Sequence, residues 1–445
     1  MALSNYRLTA GTRYAPYSDM TPPASISSGS PYTSGGYRVN VSAGTATFSV
    51  DTDEHLDRAQ SIKVQPGQAS QTIDFDWYLD ADMSAATMLH LNVKLNSNDW
   101  GAVDVWLTTG TGSSFTHGYR KSFRNNLENG MISWQTIQLH RDDWSNAGTP
   151  GGWDQIKGIR LRLTALAAVT PAYVEDCWYG ITTKPKIIFQ MDDGANTQAT
   201  IAKAIFDSYG IKGGLNLISG PTRTGPLGSY MSLEQIQDFY DSGWDLAVHG
   251  DSTGITNWSV ITQQDCEDEI SACRDWFAAQ VGTRGISEWC AHPGGAFDDE
   301  SRAAIAAQGI RYARGTVNDW NFNSVALGIA NRENLYAFLP DATPTLAEFE
   351  AQWDKAIKYG STIFLCLHQF HATTDGASTL SVATLNSVLT AAKALHDAGT
   401  VDIVTPTQWI AGMSAAGALT AAAGPFGESS FQGGTGVLTD AAGPW

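Results

Sequence analysis

The alternation of hydrophobic and polar residues changes character once along the chain, near residue 185. Between residues 36 and 182, apolar side chains alternate with polar ones in short runs such as Leu89 to Leu95, and Gly, Asn, Ser and Asp separate the runs. A period of two residues is typical of strands that bury one face. We therefore predict an antiparallel β-sandwich for residues 36–182.

Beyond residue 185, unbroken apolar runs of strand length alternate with segments of helical period. Residues 186–191 and 362–367 are two such runs, and a long helix is expected at about 263–280. Strands that are buried on both faces of a parallel sheet lack alternation, and the order strand, helix, strand is typical of parallel sheets. Seven or eight β/α units predict a barrel over residues 185–412.

Two flanking segments show no clear period. Residues 1–35 are rich in Ser, Gly, Pro and Tyr and are predicted to form an extended arm. Residues 413–445 form a Gly- and Ala-rich tail, in which Leu419–Phe426 recurs as Leu438–Trp445. A repeat this short cannot make a core of its own, so we expect the tail either to lie along another surface or subunit or to be disordered.

Composition narrows the classes of function. Lys and Arg number 27 against 45 Asp and Glu, and the formal net charge of -18 argues against nucleic acid as a partner. The five cysteines show no metal-ribbon or C-x-x-C spacing, so no disulfide framework is inferred. No apolar run is long enough for membrane insertion, and the N-terminus lacks a signal-peptide core. We expect a protein made in the cytoplasm.

Carboxylates and histidines follow three of the predicted barrel strands. Asp192 and Asp193 follow the first strand, His249 and Asp251 follow a later one, and His368 follows the run at 362–367. Because the carboxyl ends of barrel strands meet at one rim, we expect these side chains to converge. Such a cluster can hold a divalent metal. Taken singly, each residue is also an ordinary strand-end or turn residue.

In this order, the motifs resemble those of the polysaccharide deacetylases of carbohydrate esterase family 4. Five segments correspond to the family's motifs: Phe189–Gly194 (FQMDDG) to TFDDG, Asp241–His249 to the approach to the second motif, Cys290–Asp298 to the third, Asp319–Trp320 to the fourth and Leu365–His368 to the last. The resemblance covers residues 185–412. It implies a distorted (β/α) barrel of the NodB-homology type and a hydrolase that removes acetyl groups.

The resemblance also implies roles for the matched residues. Asp192 would be the catalytic base and His368 the general acid, while Asp193 and His249 would bind a divalent metal. The metal is expected to be zinc, with manganese or magnesium as alternatives. The third and fourth motifs would contact the oxyanion or the substrate through His292, Pro293, Gly294, Gly295, Asp319 and Trp320.

The second and third motifs depart from the family's pattern. The second motif is usually HxxxH, but Thr253 stands where the second metal-binding histidine is expected. A neutral hydroxyl is a poor zinc ligand. We therefore predict Asp251 as the third ligand, with His292 and His371 as alternatives. The third motif also lacks the arginine that many members use to orient the base.

The second half of the predicted sandwich, from Trp134 to Asp176, resembles jelly-roll carbohydrate-binding modules. Aromatic rings stack on sugars, and most buried aromatic residues simply pack in a core. The candidates for stacking on a sugar are Trp100, Trp106 and Trp144, together with Trp178. The alternative for each is a place in the core.

Two hypotheses of function follow. The first is a metal-dependent deacetylase of an N- or O-acetylated surface polysaccharide. The second is a catalytically weak or inactive glycan-binding or structural protein that uses the same barrel. The arm, the tail and the missing leader favour a virion component, a phage tail fibre, spike or baseplate protein that acts at the host surface and could form a homo-oligomer with other virion subunits around it. A leaderless cytoplasmic enzyme or export by another route is the alternative.

Overall fold

The computed structural model describes residues 11–14, 37–41, 46–53, 61–96, 99–110, 115–122, 132–167, 170–180, 184–224, 228–317, 324–325, 335–340, 343–376 and 379–414. Two compact units divide the described chain, one ending at Thr183 and the other beginning at Lys184. The predicted arm, apart from residues 11–14, and the tail beyond residue 414 lie outside the described residues.

The first unit consists of short strands. Its strands are β1 (Gly11–Tyr14), β2 (Tyr37–Val41), β3 (Thr47–Asp51), β4 (Ser61–Gln65), β5 (Thr72–Ala81), β6 (Met88–Asn96), β7 (Trp100–Thr108), β8 (Gly118–Ser122), β9 (Ile132–His140), β10 (Ser145–Ala147), β11 (Ile156–Ala165) and β12 (Ala172–Gly180).

Two antiparallel sheets make up this unit. The first has the order β3-β4-β12-β6-β9, with β1 beside β12, and the second has the order β10-β8-β7-β11-β5-β2. The alternate apolar residues of β6 and β11 enter one hydrophobic core that takes side chains from both sheets. The predicted antiparallel character is confirmed, whereas the jelly-roll connectivity stays a prediction.

The tryptophans proposed to stack on sugars have different surroundings. Trp100 is 1% exposed and belongs to the core, so in this conformation its ring has no face for a sugar. Trp144 is partly buried against the same core and contacts Trp153 edge-on. The ring of Trp106 lies 4.7 Å from the guanidinium of Arg120. Trp106 therefore lies next to a solvent-exposed polar side chain, and it remains a candidate for stacking on a sugar.

The second unit alternates strands and helices. Its strands are β13 (Lys186–Met191), β14 (Gly214–Leu217), β15 (Asp245–Val248), β16 (Trp289–Ala291), β17 (Tyr312–Val317), β18 (Ser324–Val325), β19 (Leu335–Phe338), β20 (Thr362–Leu367), β21 (Gln369–His371), β22 (Thr379–Ser381) and β23 (Asp402–Ile403). Its α-helices are α1 (Lys203–Tyr209), α2 (Ser219–Thr224), α3 (Leu233–Asp241), α4 (Gln263–Gln280), α5 (Asp299–Ala307), α6 (Leu346–Tyr359), α7 (Val382–Asp397) and α8 (Pro406–Ser414).

Seven parallel strands of the described chain close into a barrel. Their order is β13-β14-β15-β16-β17-β19-β20, and β20 pairs again with β13 from Lys186 opposite Thr362 to Met191 opposite Leu367. Strand β23 adds to β13 in parallel, and β18 adds to β20 antiparallel. The barrel predicted from unbroken apolar runs is thus confirmed.

Local signals in the sequence account for the ends of several helices. A capping box is present at the start of α3, because Ser232 and Gln235 exchange side-chain and backbone hydrogen bonds. Helix α4 has the predicted bounds. Helix α6 ends at Gly360, whose φ of 60° is the left-handed conformation that suits glycine.

The helices cover the outside of the barrel and share its hydrophobic core. Apolar side chains of β13, β15 and β20 pack against α1, α4, α6 and α7 in one cluster. Within the described residues, no helix is long and apolar enough to cross a membrane. This packing fixes the strand ends, which carry the residues of interest.

Candidate active site

The strand ends that carry the predicted residues meet at one rim of the barrel. The backbone N–H of Asp192 donates to the carbonyl of Leu367 at the end of β20, 2.8 Å away. The backbone N–H of His249 donates to Leu217 at the end of β14, at 3.0 Å. The convergence expected from the strand order is therefore present.

The turn after β13 holds its second carboxylate in an unusual backbone conformation. Asp193 has a φ of 69° and Gly194 a φ of 74°. A positive φ is uncommon for a residue with a side chain and costs free energy unless the surroundings enforce it. The turn leaves the Asp193 side chain 41% exposed, whereas that of Asp192 is 3% exposed. The two adjacent carboxylates thus have different surroundings.

One carboxylate oxygen of Asp192 is held by donors from two other strands. Its Oδ1 accepts a hydrogen bond from Nδ2 of Asn216 on β14, at 2.6 Å, and one from the guanidinium of Arg314 on β17. Arg314 is fully buried, and its Nε also donates to Oε1 of Gln190 at 3.0 Å. These bonds fix the orientation of the Asp192 carboxylate at the barrel rim.

Arg314 is a site residue that the sequence analysis missed. The third motif lacks the arginine that orients the base in many family members, but here an arginine from the next strand, β17, contacts the same carboxylate. A signal was present in the sequence, because Arg314 places a charge inside the strand-like segment at residues 310–316. A buried charge on a barrel strand needs a partner of opposite charge.

The charge of Arg314 also sets the protonation of Asp192. Burial by itself raises the pKa of the Asp192 carboxyl, but the positive charge of Arg314, followed by those of His249 and His368, lowers it by more. The pKa therefore lies well below its ordinary value, and the carboxylate is ionised at neutral pH. An ionised carboxylate at this position accepts protons.

The second oxygen of Asp192 faces three other side chains. Its Oδ2 lies 3.3 Å from Sγ of Cys366, 3.8 Å from Nε2 of His249 and 3.9 Å from Nε2 of His368. Burial foremost raises the pKa of the Cys366 thiol well above its ordinary value, so the thiol keeps its proton and donates a hydrogen bond to this carboxylate. The sequence analysis placed Cys366 in the last motif without giving it a role.

His249 lies between the two carboxylates of the turn. Its Nδ1 lies 2.8 Å from the carbonyl of Ala291, and its Nε2 lies 3.3 Å from Oδ1 of Asp193. Burial by itself lowers the pKa of His249, but the hydrogen bond to Asp193 and the charge of Asp192 outweigh it, and the pKa is raised. A carbonyl on Nδ1 is the arrangement that orients a metal-binding imidazole through Nε2.

Asp193 and His249 fit a divalent cation by their chemistry, because a carboxylate and an oriented imidazole are common zinc ligands. The predicted third ligand does not join them. Both oxygens of Asp251 are engaged, one by Oγ of Ser219 and the other by Nη2 of Arg223 at 2.7 Å. Among the described residues, the metal-like group of three is instead Asp192, Cys366 and His368.

The alternative third ligands lie in other surroundings. His292 is fully buried, with its ring 6.0 Å from that of Trp258 and 5.1 Å from that of Phe297. His371 is exposed on β21, and Thr253 is exposed in the loop after β15. No described side chain is thus shown to complete the Asp193–His249 pair.

His368 is the solvent-facing member of the cluster. Its side chain is 25% exposed, and its buried Nδ1 has no hydrogen-bond partner among the described residues. Gln198 holds its backbone, because Nε2 of Gln198 donates to the carbonyls of His368 and Asp192, at 2.8 and 2.5 Å. One buried amide thus ties the ends of β13 and β20 together.

The third-motif loop is a tight turn beside β17. His292 donates its backbone N–H to the carbonyl of Arg314 at 2.8 Å, and Gly295 donates to the carbonyl of His292 at 3.0 Å. Pro293 begins this turn, in which Gly294 and Gly295 have φ values of 65° and 70°. The N–H of Gly295 is therefore used within the turn. The predicted substrate residues Asp319 and Trp320 lie outside the described residues.

A known family matches part of the chain. Residues 179–313 match the family described as Polysaccharide deacetylase. The match contains Asp192, Asp193 and His249 but ends before Arg314 and His368. No curated protein matches the sequence at a significant level. Residues 179–313, which include the first strands of the barrel, are thus similar to a polysaccharide deacetylase domain.

Several solved structures are similar to parts of the chain. The Streptococcus pyogenes deacetylase PplD in complex with acetate is 18% identical over 34% of this chain and 62% of its own, with a TM-score of 0.28. The Xyl-CE4 domain of a multidomain xylanase from the hindgut metagenome of Trinervitermes trinervoides is 16% identical over 51% and 89%, with a TM-score of 0.34. A family 4 acetyl xylan esterase from Clostridium thermocellum, in complex with a cobalt ion, is 14% identical over 55% and 95%, also with a TM-score of 0.34. Likeness at this level says nothing about the activity, metal or substrate of this chain.

Proposed function

We propose that the second unit is a metal-dependent hydrolase that removes acetyl groups from a polysaccharide. The observation that carries the proposal is the arrangement around Asp192. This ionised carboxylate is held by Arg314 and lies next to the Asp193–His249 pair and to a partly exposed histidine, His368. A base, a cation-binding pair and an acid within a few ångströms are what hydrolysis of an amide or ester requires.

The base would act through Oδ2 of Asp192. Arg314 and Asn216 occupy Oδ1, so Oδ2 is the oxygen available to take a proton from an attacking water. A divalent cation held by Asp193 and His249 would polarise the acetyl carbonyl and lower the pKa of that water. Zinc suits this donor pair, and manganese or magnesium are the alternatives.

His368 would supply the proton that the leaving group needs. Its imidazole is the partly exposed side chain of the cluster, and its Nε2 lies 3.9 Å from the base. Hydrolysis releases an amine from an N-acetyl group or an alcohol from an O-acetyl group, and protonation makes either a better leaving group. The third-motif loop near Gly294 remains our proposal for the oxyanion contact, and Trp320 for a contact with the substrate.

One observation favours a second candidate function, a barrel that binds glycans with weak or no catalysis. Asp251 gives both oxygens to Ser219 and Arg223, so the Asp193–His249 pair has no third protein ligand among the described residues. A cation with two protein ligands binds more weakly than one with three. The two candidates therefore differ in metal affinity and in turnover.

Metal content and acetate release test the proposal. We would compare the wild-type protein with Asp193→Asn, which loses a predicted ligand, and with Asp251→Asn as the matched control. With one equivalent of zinc supplied, we expect bound zinc and acetate release from an acetylated oligosaccharide in the wild type. We expect loss of acetate release and a lower zinc affinity in Asp193→Asn, and wild-type behaviour in Asp251→Asn. Retained zinc without acetate release would support the second candidate. Absence of metal binding in the wild type would overturn the metal-dependent hydrolase.

We also propose, from the sequence, that the protein is a virion component such as a tail fibre, spike or baseplate protein, with host surface polysaccharide as its target. The pairing of a β-sandwich with a deacetylase domain supports a glycan-directed role. Labelling of purified virions with an antibody against the second unit would test the location. Labelling of host cytoplasm alone would contradict it.

A further inference from the structure

Three potential metal ligands lie together at the barrel rim, next to the Asp193–His249 pair but distinct from it. Asp192, Cys366 and His368 each offer one ligand atom that lies within 4.8 Å of those of the other two. Cys366 and His368 are two residues apart at the end of β20, so their side chains leave the same face of the chain. Asp192 reaches them because β13 and β20 pair directly.

The distances among these atoms suit a tetrahedral cation. With bonds of about 2.3 Å to sulfur and 2.0–2.2 Å to nitrogen and oxygen, the edges of such a site are about 3.3–3.6 Å long. The distance from Sγ to Oδ2 is 3.3 Å, and that from Nε2 to Oδ2 is 3.9 Å. The first distance equals such an edge, and a shift of His368 by a few tenths of an ångström would bring the second to the same length.

Few protein contacts compete for the three ligand atoms. The hydrogen bonds from Arg314 and Asn216 occupy Oδ1 of Asp192 and leave Oδ2 facing the cluster. His368 is not tied by its other nitrogen, since Nδ1 has no hydrogen-bond partner among the described residues. His368 is also the partly exposed member, so a cation can enter from its side.

A cation that replaces the thiol proton gains a second negatively charged ligand beside the carboxylate, which is also paired with Arg314. The Cys366 proton leaves to solvent as sulfur binds the cation, and one thiolate, one carboxylate and a neutral imidazole then surround a charge of two. A thiolate ligand favours thiophilic ions such as zinc and cadmium over magnesium or manganese. The Asp193–His249 pair contains no sulfur, so the two sites differ in the ions they prefer.

We propose that Asp192, Cys366 and His368 form a second site, for a thiophilic divalent cation. A cation there occupies the oxygen of the base and the nitrogen of the acid at once. The consequence for catalysis rests on the proposed function. Because the positive charge of Arg314 already offsets the negative charge of Asp192, zinc binds here more weakly than at the Asp193–His249 pair. The first equivalent of zinc therefore supports acetate release, and excess zinc inhibits it. The binding itself does not depend on that function.

Cadmium absorption tests the binding directly. We would titrate cadmium chloride into the full-length protein and follow the ultraviolet charge-transfer band between thiolate and cadmium. We expect the band in the wild type and in Cys266→Ser, which removes a buried cysteine of α4 outside the cluster, and its loss in Cys366→Ser. Absence of the band in the wild type, or its persistence in Cys366→Ser, would overturn the proposal.

A second variant covers the case in which Cys366→Ser does not fold. His368→Gln changes a partly exposed side chain and removes the nitrogen ligand, so we expect cadmium to bind at least tenfold more weakly while the thiol remains. Unchanged cadmium affinity in a folded His368→Gln protein would exclude this histidine and overturn the three-residue site.

The effect of zinc on acetate release tests the consequence. In the wild type, we expect the rate to rise and then fall as zinc is added, and in Cys366→Ser the falling part to move to at least tenfold higher zinc. Identical inhibition in both proteins would overturn the inhibitory role. If no zinc concentration gives acetate release, the proposed function fails, and the cadmium band still decides whether the second site exists.

Discussion

At the residue scale, the two oxygens of Asp192 have separate tasks. Oδ1 is held by buried donors, and Oδ2 faces the groups with which a substrate or cation would interact. A carboxylate held on one side loses little conformational freedom when it accepts a proton on the other, which is what preorganisation means for a base. Arg314 is therefore as important to the site as the matched family residues.

Replacement of Arg314 by Met should destabilise the protein by about 3–5 kcal/mol, because it leaves the buried carboxylate of Asp192 without its charge partner. The double variant Asp192→Asn, Arg314→Met removes both charges and should recover part of this loss. Urea unfolding of the three proteins would measure both effects. Equal stability of Arg314→Met and wild type would contradict the role assigned to this ion pair.

The ionised carboxylate of Asp192 should also make the stability of the protein depend on pH. The pKa of its carboxyl in the folded protein lies below the ordinary value of 3.8. The ionised carboxylate therefore stabilises the folded protein when the pH is above the ordinary pKa. This stabilisation is lost as the pH falls towards the pKa of the folded state. The loss should occur between about pH 5 and pH 1. Circular dichroism at a series of pH values should show a shallower acid dependence for Asp192→Asn. A slope as steep as in the wild type would assign the acid sensitivity to other carboxyl groups.

At the scale of elements, the turn after β16 needs its glycines for two reasons. Gly295 has a φ of 70°, and a Cβ at this position would overlap the side chain of Thr316 and lie 2.9 Å from its backbone nitrogen. Gly210, at the end of α1, has a φ of 67°, and a Cβ there would meet nothing within 4 Å. A comparison of the two glycine positions therefore separates the cost of backbone strain from the cost of steric overlap.

Gly210→Ala should cost about 1–2 kcal/mol, the strain of a left-handed residue with a side chain. Gly295→Ala should cost more than this, because β17 would have to move away from the turn, and it should also displace Arg314. Thermal or urea unfolding would compare the two variants. A Gly295→Ala protein no less stable than Gly210→Ala would show that the turn can relax without cost.

At the scale of the whole molecule, the second unit carries its core and the described site residues within residues 184–414. One hydrophobic cluster joins its strands and helices, and the barrel closes through β13 and β20 of the same unit. A unit with its own core can fold alone. The fragment 184–414 should therefore unfold cooperatively and keep the metal binding of the full chain. A fragment that fails to fold would show that the rest of the chain contributes to its stability.

Local patterns in the sequence specify the elements of this protein and their order. Period-two alternation predicted the antiparallel sheets, unbroken apolar runs predicted the barrel strands, and the strand ends located Asp192, Asp193, His249 and His368. These features are local, because the period of burial and the turn residues depend on a few consecutive positions of the sequence. The family motifs added roles for the same residues.

Which distant residues share one site depends on how the elements pack in the folded chain. It placed Arg314 and Cys366 on the two oxygens of Asp192, tied Asp251 to Ser219 and Arg223, and buried Trp100 in a core. None of these contacts follows from spacing, because each joins residues on elements that meet only when the sheet closes or packs. The physical reason is that the residue pattern of a strand indicates which of its faces is buried. The residues that pack against this face are set by the folded arrangement of the other elements.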